Sequence, residues 1–163
     1  MLREAMADDL PAIAGILNAE IASGTASWTE TPKTVADMES WFADRRAGGH
    51  PVIVAEAGGE VLGYATYGPF RRGEGYRETV EHSVYVARSA RGRGIARLLM
   101  ERLIGAARAA GYARMIGGVS ADQPASLGLH RALGFEEQGR LKGVGVKRGK
   151  RLDLAFMVLA LDE

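Results

Sequence analysis

The stretch ARGRGIARLLMERLIGAARAAG, residues 90–111, joins a glycine–arginine turn to an amphipathic run, and its reading decides the fold. Ile95, Leu99, Leu103, Ala106 and Ala110 recur at helical spacing, while Arg93, Arg97, Glu101 and Arg108 lie on another side. Gly111 closes the run, as glycine does at many helix C-termini. Just upstream, TVEHSVYV (79–86) is rich in β-branched residues and predicts a strand. The chain therefore passes from strand, through Gly92 and Gly94, into a helix. The first N–H groups of a helix lack intrahelical partners, and glycine lets the backbone close on an anion there. The helix dipole adds roughly half a positive charge, so a diphosphate suits the turn. The dinucleotide pattern G-x-G-x-x-G/A fails at Arg97, and no G-K-S or G-K-T occurs, so those two nucleotide classes recede.

Working outward, PVIVAEAGGEVLGYATYG (51–68) predicts a hairpin about Gly58 and Gly59, followed by the loop PFRRGEG and a strand from about Arg77 to Ala87. After the opening helix, RMIGGVSA reads as a strand and PASLGLHRALG as a short helix. Two last strands, GFEEQGRLKG and LDLAFMVLAL, flank the basic loop VGVKRGKR, read as a hairpin tip. At the other end, a strand at Leu2–Met6 leads to a helix capped by Asp8 or Asp9, with Leu10, Ile13, Ile16, Leu17 and Ile21 inward. A second amphipathic stretch runs through Val35, Met38, Trp41 and Phe42. The order β-α-α-β-β-β-α-β-α-β-β without a linker or repeat predicts a single domain over 1–163, of α/β (α+β) class. The early hairpin favours a mixed sheet with helices on both faces over a doubly wound one.

Composition narrows the chemistry. None of the 163 residues is cysteine, which excludes disulfides, thiolate metal sites and a cysteine nucleophile. Lysine and arginine total 21 against 20 acidic residues, so no overall field tracks a nucleic-acid backbone. Residues 1–22 carry Asp8, Asp9 and Glu20 where a signal peptide would be apolar, and no run of about 18 uncharged apolar residues offers a membrane span. The expectation is a cytoplasmic protein without membrane or nucleic-acid partners.

With these elements in place, the chain resembles the GNAT family of N-acetyltransferases, whose signature R/Q-x-x-G-x-G/A is met by Arg91, Gly94 and Ala96. The likeness spans the chain and sharpens to the phosphinothricin and methionine sulfoximine (or methionine sulfone) acetyltransferases. TASWTETP, YGPFRRGEGYRETVEHSVYV and ASLGLHRALGFEEQGRLKGVGVKRGKRLDLAFM carry it, in that order. The resemblance implies acetyl-CoA as co-substrate, no metal, a homodimer, and an acceptor resembling a small amino acid. It implies that Arg91, Gly92, Arg93, Gly94, Ile95, Ala96 and Arg97 hold the pyrophosphate, and that Val84, Tyr85 and Val86 line the pantetheine arm.

Acetyl transfer to an amine needs a neutral amine, a polarised thioester carbonyl and protonation of the leaving thiolate. Strand alternation puts Glu81, Ser83 and Tyr85 on one face and Val80, His82, Val84 and Val86 on the other. The resemblance makes Glu81 the base, directly or through a water, with a backbone N–H of the following residues as oxyanion donor. Pattern places His82 among valines as a core residue. A β-bulge, which the family has in this strand, would turn it, and His82 and Ser83 are taken as acceptor contacts only. His130 stands where many acetyltransferases carry a tyrosine near the sulfur, as a possible acid or as a helix-surface residue. Gln123 replaces the family's usual asparagine, leaving two alternatives: weaker coenzyme A binding, or a contact shared with Ser126. Phe70, Arg71, Arg72 and Gly73 are expected at the acceptor, where guanidinium groups match a carboxylate or phosphinate, and Trp28 is expected to wall the pocket. Two other readings stay open: a protein or peptide amine as acceptor, and a non-catalytic coenzyme A-binding module.

Overall fold

The computed structural model describes residues Met1–Glu163. Strands are β1 (Leu2–Glu4), β2 (Val52–Ala57), β3 (Glu60–Pro69), β4 (Thr79–Val86), β5 (Arg114–Ser120), β6 (Glu136–Lys147) and β7 (Lys150–Ala160). Helices are α1 (Leu10–Ser23), α2 (Val35–Ala47), α3 (Ile95–Ala109) and α4 (Pro124–Ala132). The strands form one sheet in the order β1-β2-β3-β4-β5-β7-β6. Only β4 and β5 run parallel, joined by the crossover through α3, so the sheet is mixed and mostly antiparallel as expected.

Each face of the sheet carries its own core. On one side Ile95, Leu99, Met100, Leu103 and Ile104 of α3 and Leu127 of α4 pack on Tyr67, Val80, Met115 and Met157. On the other, Leu10, Ile13 and Ala14 of α1 and Met38 and Phe42 of α2 pack on Val52, Val54 and Tyr64. Alternation along a strand feeds both cores: in β3, Ala65 and Tyr67 join the first while Tyr64 joins the second. No helix is long and apolar enough to cross a membrane.

Some boundaries move. β4 begins at Thr79, two residues later than predicted, because a single turn at Glu74–Tyr76 extends the loop before it. β6 continues through Val144–Lys147, so the basic loop shrinks to the turn Arg148–Gly149, where Arg148 takes a φ of 48°. Asp9 does not cap α1 through its side chain. Its carboxylate accepts instead from the Met6 N–H, at 2.7 Å, and pairs with Arg3.

The pairing between β4 and β5 positions the site. It covers only Thr79–Glu81 against Arg114–Ile116, although β4 continues to Val86 and β5 to Ser120. Beyond Glu81 the two strands part, leaving a V in the middle of the sheet whose apex is Glu81 and whose mouth faces the start of α3.

Candidate active site

The mouth of the V is the glycine–arginine turn. Gly92 and Gly94 have φ of 73° and 77°, a left-handed region that costs other residues about 1–2 kcal/mol, and a Cβ at either would meet nothing within 4 Å. Gly94 is the N-cap of α3, and the first helical donor is the Leu98 N–H, bonded to the Gly94 carbonyl at 3.1 Å. The N–H groups of Ile95, Ala96 and Arg97 therefore have no helical acceptor. A cavity of about 230 Å³ lies against them, lined by Val86, Arg91, Gly94, Ile95, Ala96 and Leu129 among others. This open, donor-rich helix start fits a diphosphate. Arg93 lies exposed in the turn, whereas Arg91 reaches away from it, its Nη2 donating at 2.8 Å to Oε2 of Glu20 on α1.

The cleft within the V, about 70 Å³, is lined by His82, Ser83, Val84 and Tyr85 of β4, Gly118, Val119 and Ser120 of β5, and Gln123, Ser126 and His130 around α4. Ala26, from the segment after α1, closes it. Gln123 spends its amide on the Thr25 hydroxyl, donating at 2.7 Å, and the Ser126 carbonyl accepts from His130.

Glu81 stands at the apex, half-buried, and no donor in the protein bonds its carboxylate. Oε2 hangs over Gly118, where an added Cβ would lie only 3.6 Å away. Burial raises its pKa above the usual carboxylate value, with the Arg71 charge pulling the other way. A carboxylate of raised basicity and without a bonded partner is equipped to take a proton from an ammonium group.

His82 and His130 form a separate unit on the opposite face. The β3–β4 register runs unbroken from Gly63↔Val86 to Pro69↔Val80, so the bulge expected in this strand is absent from that ladder. His82 accordingly keeps the facing that alternation assigns it, away from Glu81 and Ser83. It is 8 % exposed and His130 only 2 %, so His130 is not a helix-surface residue. Their Nε2 atoms are 2.9 Å apart, and His130 Nδ1 lies 2.6 Å from the Ser126 carbonyl oxygen. A carbonyl only accepts, so His130 carries its proton on Nδ1, and His82 must donate from Nε2 to His130. His82 Nδ1 then keeps a buried lone pair that no group of the protein bonds. Burial, aided by His130, pushes the His82 pKa down to about 3, and burial lowers that of His130 as well. Both protons of the neutral pair are committed, leaving none to offer the cleft. Gly117 keeps the pair together: a Cβ there would lie 2.6 Å from His82 Nε2 and 2.9 Å from His130 Nε2.

On the Glu81 face a second cavity, about 180 Å³, is walled by Leu17, Met38, Trp41 and Tyr64 and meets the cleft at Ser83 and Tyr85, which line both. The loop after β3 carries Arg71, Arg72 and Gly73 exposed to solvent. Arg71 stacks on Phe70, with Cζ 4.2 Å from the ring centroid, and Phe70 in turn meets Phe156 edge-on at 6.2 Å. Trp28 lines neither cavity. Its ring covers Gly145 of β6, where a Cβ would come within 2.2 Å.

The segment that carries Ala26 and Ser27 is held by residues that give no catalytic signal in the sequence. Lys147, 2 % exposed, donates to the carbonyls of Gly24 at 2.6 Å and Ser27 at 2.5 Å, and Arg148 to those of Ile21 and Ala22. The basic β6–β7 turn thus neutralises the carbonyl end of α1, where the helix dipole is negative. Glu20 joins this segment to the α3 turn: one oxygen accepts from the Ala26 N–H at 3.0 Å and the other from Arg91. A side chain at Gly24 would collide with that carboxylate.

A splayed parallel strand pair, a helix start with unpaired N–H groups at its mouth and a carboxylate at its apex suit acyl transfer from a long, diphosphate-bearing donor. Residues 13–135 match the acetyltransferase (GNAT) family, and the chain belongs to that family. It is an acetyltransferase that draws on acetyl-CoA. Among its relatives, an L-methionine sulfoximine/L-methionine sulfone acetyltransferase of Pseudomonas aeruginosa is 48 % identical over 99 % of this chain and 94 % of its own. An L-amino acid N-acyltransferase of Escherichia coli is 42 % identical over 99 % and 94 %. A phosphinothricin acetyltransferase of Sinorhizobium meliloti, solved in complex with AcCoA, superposes with a TM-score of 0.95 at 41 % identity, covering 98 % of this chain and 87 % of that one.

Proposed function

We propose that the enzyme acetylates the α-amine of a small amino acid or analogue of the methionine sulfone, methionine sulfoximine or phosphinothricin type, with Glu81 as base. The observation that carries this reading is that Ser83 and Tyr85, on the face that Glu81 shares, line both the cleft and the aromatic cavity. Acetyl-CoA supplies the acetyl group as a thioester, and Ile95, Ala96 and Arg97 would hold its diphosphate through their N–H groups.

Glu81 binds the acceptor's ammonium group and takes a proton from it, leaving a neutral nitrogen as nucleophile. Beyond the apex, β4 has lost its partner β5, so the N–H groups of Val84 and Val86 and the Val84 carbonyl face the gap and are free to bond the pantetheine arm, one of those N–H groups polarising the thioester carbonyl, while Tyr85 bonds toward β3 and lines the cleft. The thiolate takes its proton from solvent or the acceptor side, because an unperturbed thiol pKa of about 8.5 makes a dedicated acid dispensable and the histidine pair has no proton to give. His82 and His130 instead brace β4 against α4. A cytoplasmic homodimer acting without nucleic acid or membrane belongs to the same proposal. Leu141, Val144 and Val146, exposed on the edge strand β6, support self-association, and the near-equal charge counts weigh against nucleic acid.

A free-thiol assay across methionine sulfone, phosphinothricin, a peptide N-terminus and a lysine peptide tests the reading. Turnover of the first two well above the peptides is expected. Preference for a peptide amine, or coenzyme A binding without transfer to any amine, would overturn it.

A further inference from the structure

Arg45, in the last turn of α2, carries a guanidinium group that no carboxylate contacts; the neighbouring Asp44 acts on it only through its charge, without an ion pair. Its Nε donates to the Thr66 hydroxyl at 3.2 Å and its Cζ sits 5.8 Å from the Trp41 ring centroid, but Nη1 and Nη2 bond nothing. The residue is half-buried, and burial pulls its pKa below the usual value. A cation placed this way without a carboxylate partner is uncommon, since desolvation disfavours it unless an anion arrives.

Its position follows from the sheet register. The group lies on Gly68, where a Cβ would stand 2.4 Å from Nη1 and 2.8 Å from Cζ. Gly68 is directly opposite Glu81 across the β3–β4 ladder, and opposite residues of an antiparallel pair point to the same face. Arg45 and Glu81 therefore stand side by side on one face. The Glu81 carboxylate leans the other way, toward Gly118, so the two do not form an ion pair. Trp41 and Thr66, which Arg45 touches, are also walls of the aromatic cavity.

A fixed carboxylate beside a fixed, unpaired guanidinium is complementary to an ammonium and a carboxylate on a single carbon. We propose that Arg45 binds the acceptor's α-carboxylate while Glu81 holds its amine, so that the pair selects α-amino acids over amines lacking that carboxylate. The aromatic cavity takes the acceptor side chain. Arg71 and Arg72, in the exposed loop, are left for an acidic or strongly polar group at the side chain's end, such as a phosphinate. Gly68 belongs to the device, because any side chain there displaces the guanidinium group.

The proposal rests on the acceptor class given above, and a ligand-by-residue cycle separates the two. Methionine sulfone and its primary carboxamide are compared as acceptors for the wild type, Arg45→Met, Arg45→Lys and Gly68→Ala, with coenzyme A affinity and thermal unfolding of each variant measured alongside. The wild type should prefer the acid. Arg45→Met should lose about 30-fold or more in kcat/KM for the acid, chiefly through KM, while the carboxamide changes by less than about threefold. Arg45→Lys should recover part of the preference, and Gly68→Ala should erode it. Equal losses for acid and carboxamide, or an undiminished preference in Arg45→Met, would overturn the assignment while leaving the acceptor class standing. No turnover of methionine sulfone by the wild type would overturn both.

Discussion

Lowering the pH from 7.5 to 5 is expected to cost the folded protein about 2 kcal/mol through His82 alone. In the folded protein burial holds the His82 pKa at about 3, against the ordinary histidine value of 6.5. The unfolded chain binds the proton as the pH falls through 6.5, whereas the folded chain does not until close to 3. The stability this group contributes is whole above 6.5 and is lost progressively between the two values. At pH 5 the unfolded imidazole is protonated by a ratio of about 30 to 1, which at 1.4 kcal/mol per tenfold is about 2 kcal/mol. The structural cause is that Nε2–H is already given to His130, so the added proton must go to Nδ1, where no acceptor exists. Urea unfolding followed by circular dichroism at the two pH values, on the wild type and His82→Met, isolates the effect, because carboxylate titration is common to both. The variant should start lower at pH 7.5, by roughly 1–3 kcal/mol for the orphaned His130 nitrogen, and then lose about 2 kcal/mol less on acidification. Identical pH dependence in the two proteins would refute the neutral, donor-to-acceptor arrangement of the pair.

Lys147→Met keeps the length of the side chain but strands the Ser27 carbonyl and leaves that of Gly24 only its bond from Arg148, so unfolding should come about 4–8 °C earlier, from a loss of about 2 kcal/mol. The acceptor KM should rise with it, since Ala26 and Ser27 line the two cavities; an unshifted melting curve would rule out the clasp. In Glu20→Gln one oxygen is replaced by a donor that faces either the Ala26 N–H or Arg91, so both the acetyl-CoA and the acceptor KM should rise several-fold. A change in only one of them in steady-state kinetics would show that the α3 turn and the 24–28 segment are not joined through Glu20.

The sequence made the frame legible where a local rule suffices. Gly58–Gly59 set the hairpin, Gly94 the start of α3, and alternation in β4 the facing of Glu81, Ser83 and Tyr85. The residues that were not legible owe their roles to partners far along the chain. Lys147 reads as a solvated hairpin charge because its carbonyl partners lie 120 or more positions away. The His82–His130 pair depends on how α4 lies across the sheet, which neither segment encodes alone. Arg45 sits in ADRRAGG, a pattern any exposed helix end could show, and only the pairing of Gly68 with Glu81 brings it to the base. The length of β6 escaped because an edge strand exposes most of its residues and so lacks an apolar alternation.

The most direct measurement is the pH dependence of kcat for methionine sulfone in the wild type and Glu81→Gln. A base of raised pKa predicts an acid limb in the wild-type profile that titrates above the usual carboxylate value of 4.5. Glu81→Gln should lower kcat by about 10²–10⁴-fold and abolish that limb, with coenzyme A affinity unchanged. A Glu81→Gln enzyme that keeps its rate, or that keeps the same acid limb at reduced rate, would contradict Glu81 as the base.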